Sequence, residues 1–205
     1  MKLKICGMRE PENIRAVAAL GPDYMGFIFY PLSPRYAGDL SPESVRALPR
    51  PIRRVGVFVN ETEQQVIRTA VHYLLDYAQL HGDETPEECR RLHRILPVIK
   101  AIAVRTEADL AETQRYEGCC TALLFDTRTE RFGGSGRRFD WNILNAYSGE
   151  TPFLLSGGIG PGDAERLQAV RHPQLAGDVN SLFESKPGHK ECGLLQPFIE
   201  QLKTL

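Results

Sequence analysis

In the stretch "LKICGM" an apolar strand ends in Cys6, followed at once by Gly7. A thiol at the tip of so early a strand has two physical readings. It packs as a small hydrophobe, or it stands as a nucleophile or base at the mouth of a sheet. Asp126 closes a second apolar run, "CTALLFDT", and a long polar stretch follows it. A thiol and a carboxyl facing one ligand suit a base and an acid. A resting thiol titrates near ~8.5, so Cys6 needs an electropositive setting, which Arg35 or the cradle of a bound phosphate is expected to supply. An aspartate working as an acid must hold its proton above its ordinary range. At this level Cys6 remains open to packing and to catalysis.

Other polar groups recur at the ends of apolar runs: Arg35 in "YPLSPRYAG", His81 in "YAQLHG", and Asp178, Asn180 and Ser181 in "LAGDVNSL". Burying such groups without partners is expensive. In "LLSGGIGPGDAERL", Gly157 and Gly158 follow a strand and precede a helix. Glycine lets the backbone approach an anion, and helix N-termini offer free N–H groups. A tight turn explains the glycines alone, but their place on the seventh strand, beside "DVNSL", favours phosphate.

These positions need elements to hold them. Short β-branched or aromatic runs begin near residues 3, 24, 53, 77, 97, 120, 152 and 175, and they read as strands. Amphipathic stretches lie between them: "PENIRAVAAL", "SPESVRAL", "TEQQVIRTAVHYL", "TPEECRRLHRIL", "EADLAETQRYE", "DWNILNAYS", "PGDAERLQAV" and "ECGLLQPFIEQLK". Ser41, Thr62 and Thr85 sit at N-cap positions, with Gln65 and Glu88 placed for capping boxes. Pro197 is expected to bend or interrupt the last helix. Eight βα units with near-continuous apolar strands predict a parallel sheet covered on both faces. Eight of them favour closure into an α/β fold of the (β/α)8 barrel type, with a doubly wound open sheet as the alternative. No linker or composition break divides the chain, so one domain is expected over residues 1–205.

Composition bounds the partners. The 205 residues are 42% apolar and 25% charged, with a net charge of -1. No global field draws in nucleic acid or membrane. No apolar run approaches the ~20 residues that span a bilayer, and no signal-peptide pattern opens the chain. A cytoplasmic location is expected. Five cysteines form no C-x-x-C spacing, and five histidines form no i,i+4 pair. Neither a disulfide framework nor a metal site is expected.

The segments "KICGM", "GFIFYPLSPRYAG", "VGVFVN", "QLHGDE", "LLFDTRTERFGGSGRRFDW", "LLSGGI" and "GDVNSLFESKPGHK" resemble the phosphoribosylanthranilate isomerases in order and spacing, over nearly the whole chain. The resemblance implies a (β/α)8 barrel that converts N-(5-phosphoribosyl)anthranilate into 1-(2-carboxyphenylamino)-1-deoxyribulose 5-phosphate in tryptophan biosynthesis. It implies Asp126 as general acid, Cys6 as general base, and no metal or organic cofactor. Arg35 would meet the anthranilate carboxylate, His81 would line the mouth, and Asp178 would contact a substrate hydroxyl or amine. Gly157, Gly158, Asn180 and Ser181 would cradle the phosphate. The "GGSG" at 133–136 would be a closing loop or a plain connection. A monomer or a homodimer is expected. Many members carry Ser-Ser-Gly where this chain has Asn180-Ser181-Leu182, and aspartate where it has Glu191.

Other phosphosugar barrels fit less well. An indole-glycerol-phosphate synthase needs lysines at strand ends, but Lys4 and Lys100 lie within strands. An aminoimidazole ribotide isomerase would place aspartate at Cys6. The rival from another class is a catalytically silent, phosphate-binding barrel, which needs neither Cys6 nor Asp126.

Overall fold

The structure, a computed structural model, describes residues 1–127, 139–170 and 174–204. Eight parallel strands close on themselves in sequence order, the last pairing with the first. They are β1 (Lys2–Ile5), β2 (Tyr24–Ile28), β3 (Arg53–Phe58), β4 (Tyr77–Leu80), β5 (Val98–Val104), β6 (Ala122–Thr127), β7 (Phe153–Leu155) and β8 (Gln174–Val179). The open-sheet alternative is thereby excluded. Around the barrel run α1 (Pro11–Ala19), α2 (Pro42–Arg46), α3 (Glu63–Tyr73), α4 (Pro86–His93), α5 (Ala164–Gln168) and α6 (Cys192–Thr204). The large core cluster fills the space between strands and helices, with Phe27, Phe58, Leu123, Phe153 and Phe198 among its members.

The barrel interior follows from the period of two. Side chains alternate faces along a strand, and one set (Tyr24, Val55, Ile99, Ala122, Leu124, Leu154 and Ala176) packs together inside. Counting on in twos along β6 and β8 leads to Asp126, Asp178 and Asn180, and from Tyr77, which packs against the same set, to His81. Cys6 packs with Ile28 and Val57, which lie in step with Tyr24 and Val55. Every one of these polar strand-end groups therefore has the parity of the interior. Lys100 has the opposite parity. Its Nζ lies 2.8 Å from Glu84 Oε2 and over the Tyr116 ring, in the layer outside the barrel.

Several helical expectations are corrected. Glu107–Tyr116 and Trp141–Ala146 are 3-10 helices rather than α-helices. Their buried residues explain the tighter winding: Leu110, Thr113 and Tyr116 in the first and Trp141 and Leu144 in the second recur every third residue, which is the 3-10 period. The stretch from Pro161 shortens to α5, five residues long. Pro197 does not break α6, which continues to Thr204. Pro197 and Gly193 are both exposed, so the Gly193 carbonyl left without its N–H partner can turn outward to water. Thr85 and Glu88 form the full capping box, whereas Thr62 only accepts from the Gln65 N–H. Ser41 caps nothing with its hydroxyl, which bonds the Glu43 carboxylate instead. An antiparallel pair absent from the sequence reading, β9 (Glu184–Lys186) and β10 (His189–Lys190), folds back after β8. No described helix is long and apolar enough to cross a membrane.

Candidate active site

Cys6 stands one residue beyond β1, its N–H bonded to the Val179 carbonyl at 2.9 Å, and it is 4% exposed. Its room comes from the neighbouring strand. A Cβ on Gly26 would lie 2.7 Å from the Cys6 sulfur. Gly7 has φ +76°, and a Cβ there would lie 2.6 Å from Asn180 Oδ1 and 2.7 Å from Arg35 Cδ. So Gly7 turns the chain through a conformation that suits glycine and lets Arg35 and Asn180 close over the strand tip.

Burial pushes the Cys6 thiol up, and Asp178 adds to that; the Lys4 and Lys190 cations pull it back. Here the sequence reading is corrected. The electropositive setting comes from Lys4 and Lys190, not from Arg35. Lys4 is wholly buried, with Nζ 2.8 Å from Asp178 Oδ1. Burial works against its charge, yet Asp178 and Cys6 hold its pKa above the ordinary value. Burial pushes the Asp178 carboxyl up, with Lys4 opposing and the nearby Asp126 reinforcing it.

Arg35 is turned aside by Glu184. Its Nε lies 3.0 Å from both carboxylate oxygens of Glu184 and its Nη2 lies 2.7 Å from Oε2. This fork uses one edge of the guanidinium, and Nη1 has no protein acceptor among the described residues. Glu184 also accepts from Lys190 and from the Gly188 N–H. Burial opposes its charge, but Arg35 and Lys190 hold its carboxyl below the ordinary range. Lys190 Nζ reaches Asn180 Oδ1 at 2.6 Å, and burial lowers its pKa against the pull of Glu184. Two cations and one carboxylate leave this corner a net positive charge, which suits one anionic group.

Across the mouth, His81 Nε2 lies 3.3 Å from Asp126 Oδ2. The Thr127 N–H donates to Asp126 Oδ1 at 2.8 Å. Gly157 and Gly158 follow β7 with φ of +91° and +69°. A Cβ on Gly157 would collide with Thr127 Oγ1 and come within 3.2 Å of Asp126 Oδ1. The glycine turn thus lies against the Asp126 carboxyl. The nearby helix is less suited to an anion than expected, because Asp163 precedes it and accepts the Gly160 N–H at 2.8 Å. Ser181 opens the 3-10 turn Ser181–Phe183, and Leu182 lies within 3.5 Å of a Cβ built on Gly160. The "GGSG" segment lies outside the described residues.

The structure thus gathers Cys6, Arg35, Asp178 and Asn180 on one side and His81, Asp126 and Gly157 on the other. Sequence reasoning missed Lys4 as a partner, Gly26, Gln79, Glu184 and Lys190. Lys4 and Gln79 could have been found by parity, since each is a polar residue two places before a strand-end group.

A closed parallel barrel with a thiol and a carboxyl at the C-terminal mouth, flanked by cations and a glycine turn, defines a (β/α)8 barrel equipped for acid–base work on a small anionic ligand. The family model of N-(5'-phosphoribosyl)anthranilate isomerase matches residues 3–201, and the chain belongs to that family, isomerases of the aldose–ketose type. The N-(5'-phosphoribosyl)anthranilate isomerase of Parabacteroides distasonis is 50% identical over 206 residues, covering 98% of this chain and 93% of the relative. The crystal structure of the phosphoribosyl anthranilate isomerase of Thermus thermophilus superposes with a TM-score of 0.87 at 31% identity, over 100% of this chain and 99% of that one. A further member, solved with reduced 1-(o-carboxyphenylamino)-1-deoxyribulose 5-phosphate, gives 0.82 at 33% identity over 100% of both chains.

Proposed function

We propose that the barrel isomerises N-(5'-phosphoribosyl)anthranilate with Asp126 as general acid and Cys6 as general base. Asp126 gives its proton to the furanose oxygen as the C1–O bond breaks and the anthranilate nitrogen closes the iminium. The positive nitrogen acidifies the neighbouring carbon. Cys6, as thiolate, takes the C2 proton, and the electron pair left behind neutralises the nitrogen as an enolamine. Moving the C2 hydroxyl proton off and a proton onto C1 gives the ketone. Each proton transfer of this kind contributes roughly 10²–10⁴-fold.

The observation that carries this reading is the pairing of environments. Lys4 and Lys190 face the thiol that must become an anion, while His81 and the Thr127 N–H face the carboxyl that must shed a proton. Arg35, with one edge held by Glu184, would offer the other to the anthranilate carboxylate. The Gly157–Gly158 turn, with Asn180 and Ser181, would take the phosphate, and Asp178 a substrate hydroxyl or amine. One barrel contains the whole set, so a monomer or a homodimer would serve alike. A base that must stay a free thiol suits the reducing cytoplasm.

Anthranilate fluorescence decay, on mixing the protein with freshly generated phosphoribosylanthranilate, tests the reading. Rapid decay with wild type and near loss with Asp126→Asn is the expected result. Undiminished decay with the variant would remove Asp126 from the role of acid. No decay with folded wild type would favour the silent, phosphate-binding barrel.

A further inference from the structure

Gln79 lies on β4 two residues before His81, on the same side of the strand. It is 1% exposed. Its amide meets His81 Nδ1 at 2.9 Å, while Oε1 is buried without a hydrogen-bond partner among the described residues. An unpaired buried carbonyl is costly, and methionine or leucine would fill the same layer without one. Stability does not explain a glutamine here.

The other ring nitrogen does. His81 Nε2 faces Asp126 Oδ2 at 3.3 Å, and a carboxylate can only accept. For that contact to attract once Asp126 has given up its proton, Nε2 must carry the hydrogen. In a neutral imidazole Nδ1 is then bare and must accept. The amide therefore has to present its N–H, and the carbonyl is left over. The unpaired Oε1 follows from the tautomer.

We propose that Gln79 is a positioning residue for the reaction: its amide N–H fixes His81 as the Nε2–H tautomer, so that the ring donates to Asp126 Oδ2 as Asp126 releases its proton. This rests on the reading of Asp126 as general acid. The proton passes from Asp126 to the furanose oxygen, and none leaves His81. The Thr127 N–H already holds Oδ1 at 2.8 Å, so each oxygen of the carboxylate gains a donor as charge develops. Among the described residues, the charged groups around the ring are Asp126 from β6, Asp178 from β8 with its partner Lys4, and the ion pair of Lys100 and Glu84, which binds the Leu80 and Gly82 carbonyls and the Gly82 N–H behind it.

The test combines ¹⁵N imidazole NMR of the full chain with steady-state kinetics. Wild-type His81, when neutral, is expected to show the Nε2–H tautomer. In Gln79→Glu the new carboxylate can only accept, so Nδ1 must take the hydrogen. The tautomer should invert or the ring become imidazolium, and kcat should fall on the order of 10- to 100-fold, less than removal of the acid itself, with KM within about twofold. Gln79→Met fills the layer, guards against a folding defect, and should lower kcat by a smaller factor while leaving a mixture of tautomers. An Nδ1–H ring in wild type would overturn the proposal, as would Gln79→Glu with unchanged tautomer or unchanged kcat. Full turnover by Asp126→Asn would instead remove the acid assignment while leaving the tautomer result standing.

Discussion

At the scale of single residues, the thiol and the guanidinium are each governed by a neighbour. Burial holds the Cys6 thiol above its ordinary value, and Lys4 tempers that shift. A base must be deprotonated to act, so kcat/KM is expected to rise with pH through neutrality and to level off only above the thiol's own pKa. Lys4→Met removes a cation that pulls this pKa down. The rising limb should move to higher pH, and the rate at pH ~7.5 should fall by about tenfold if the shift is near one unit. A pH–rate profile of the variant that overlays wild type would count against Lys4. Glu184 is expected to act on binding instead. With Glu184→Gln the fork on Arg35 loses its charge, and KM should rise several-fold with kcat changed less, read from initial rates. A change confined to kcat would mean that Arg35 does not face the substrate's carboxylate.

At the scale of elements, the eight strands were legible because buried parallel strands read as apolar runs, and their order needed no tertiary information. The strand-end positions of Cys6, His81, Asp126 and Asp178 followed from the same runs. What the sequence did not yield was pairing across distance. Glu184 reaches Arg35 from 149 positions away, and nothing local signals that contact. The two 3-10 segments were misread because an i,i+3 apolar spacing fits both helix types over so short a span. Gly26 shows how one strand makes room for another: a Cβ there would also lie 3.1 Å from the Cys6 Cα. Gly26→Ala should cost about 1–3 kcal/mol through overpacking and displace the thiol. Thermal melts should fall by roughly 2–4 °C per kcal/mol for a chain of this size, with kcat reduced. An unshifted melt with full kcat would mean the strands yield there without cost.

Across the whole molecule, the two ends of the barrel carry different burdens. At the N-terminal end "PDY" and "LDY" lead into β2 and β4, each tyrosine being the first residue of its strand. Asp23 accepts the Leu3 N–H and Asp76 the Arg54 N–H, both at 2.8 Å, so each ties the start of its strand to the strand before. Tyr24 and Tyr77 then meet edge to face, 5.9 Å between centroids, within the inner layer. This end should govern stability and the opposite mouth the chemistry. Asp76→Ala is expected to lower stability by about 1–3 kcal/mol, measured by urea unfolding, with kcat and KM unchanged. A loss of activity at constant stability would contradict that division.

The central claim is that a thiol and a carboxyl on opposite sides of this mouth share the proton transfers. The most direct test pairs turnover with binding in Cys6→Ser. The fluorescence assay would follow turnover, and calorimetry would follow binding of the reduced product analogue. Binding within a few-fold of wild type, with turnover reduced by roughly 10²–10⁴-fold, is the expected result. Cys6→Ser turning over at the wild-type rate would show that the thiol is packing after all and that the base lies elsewhere.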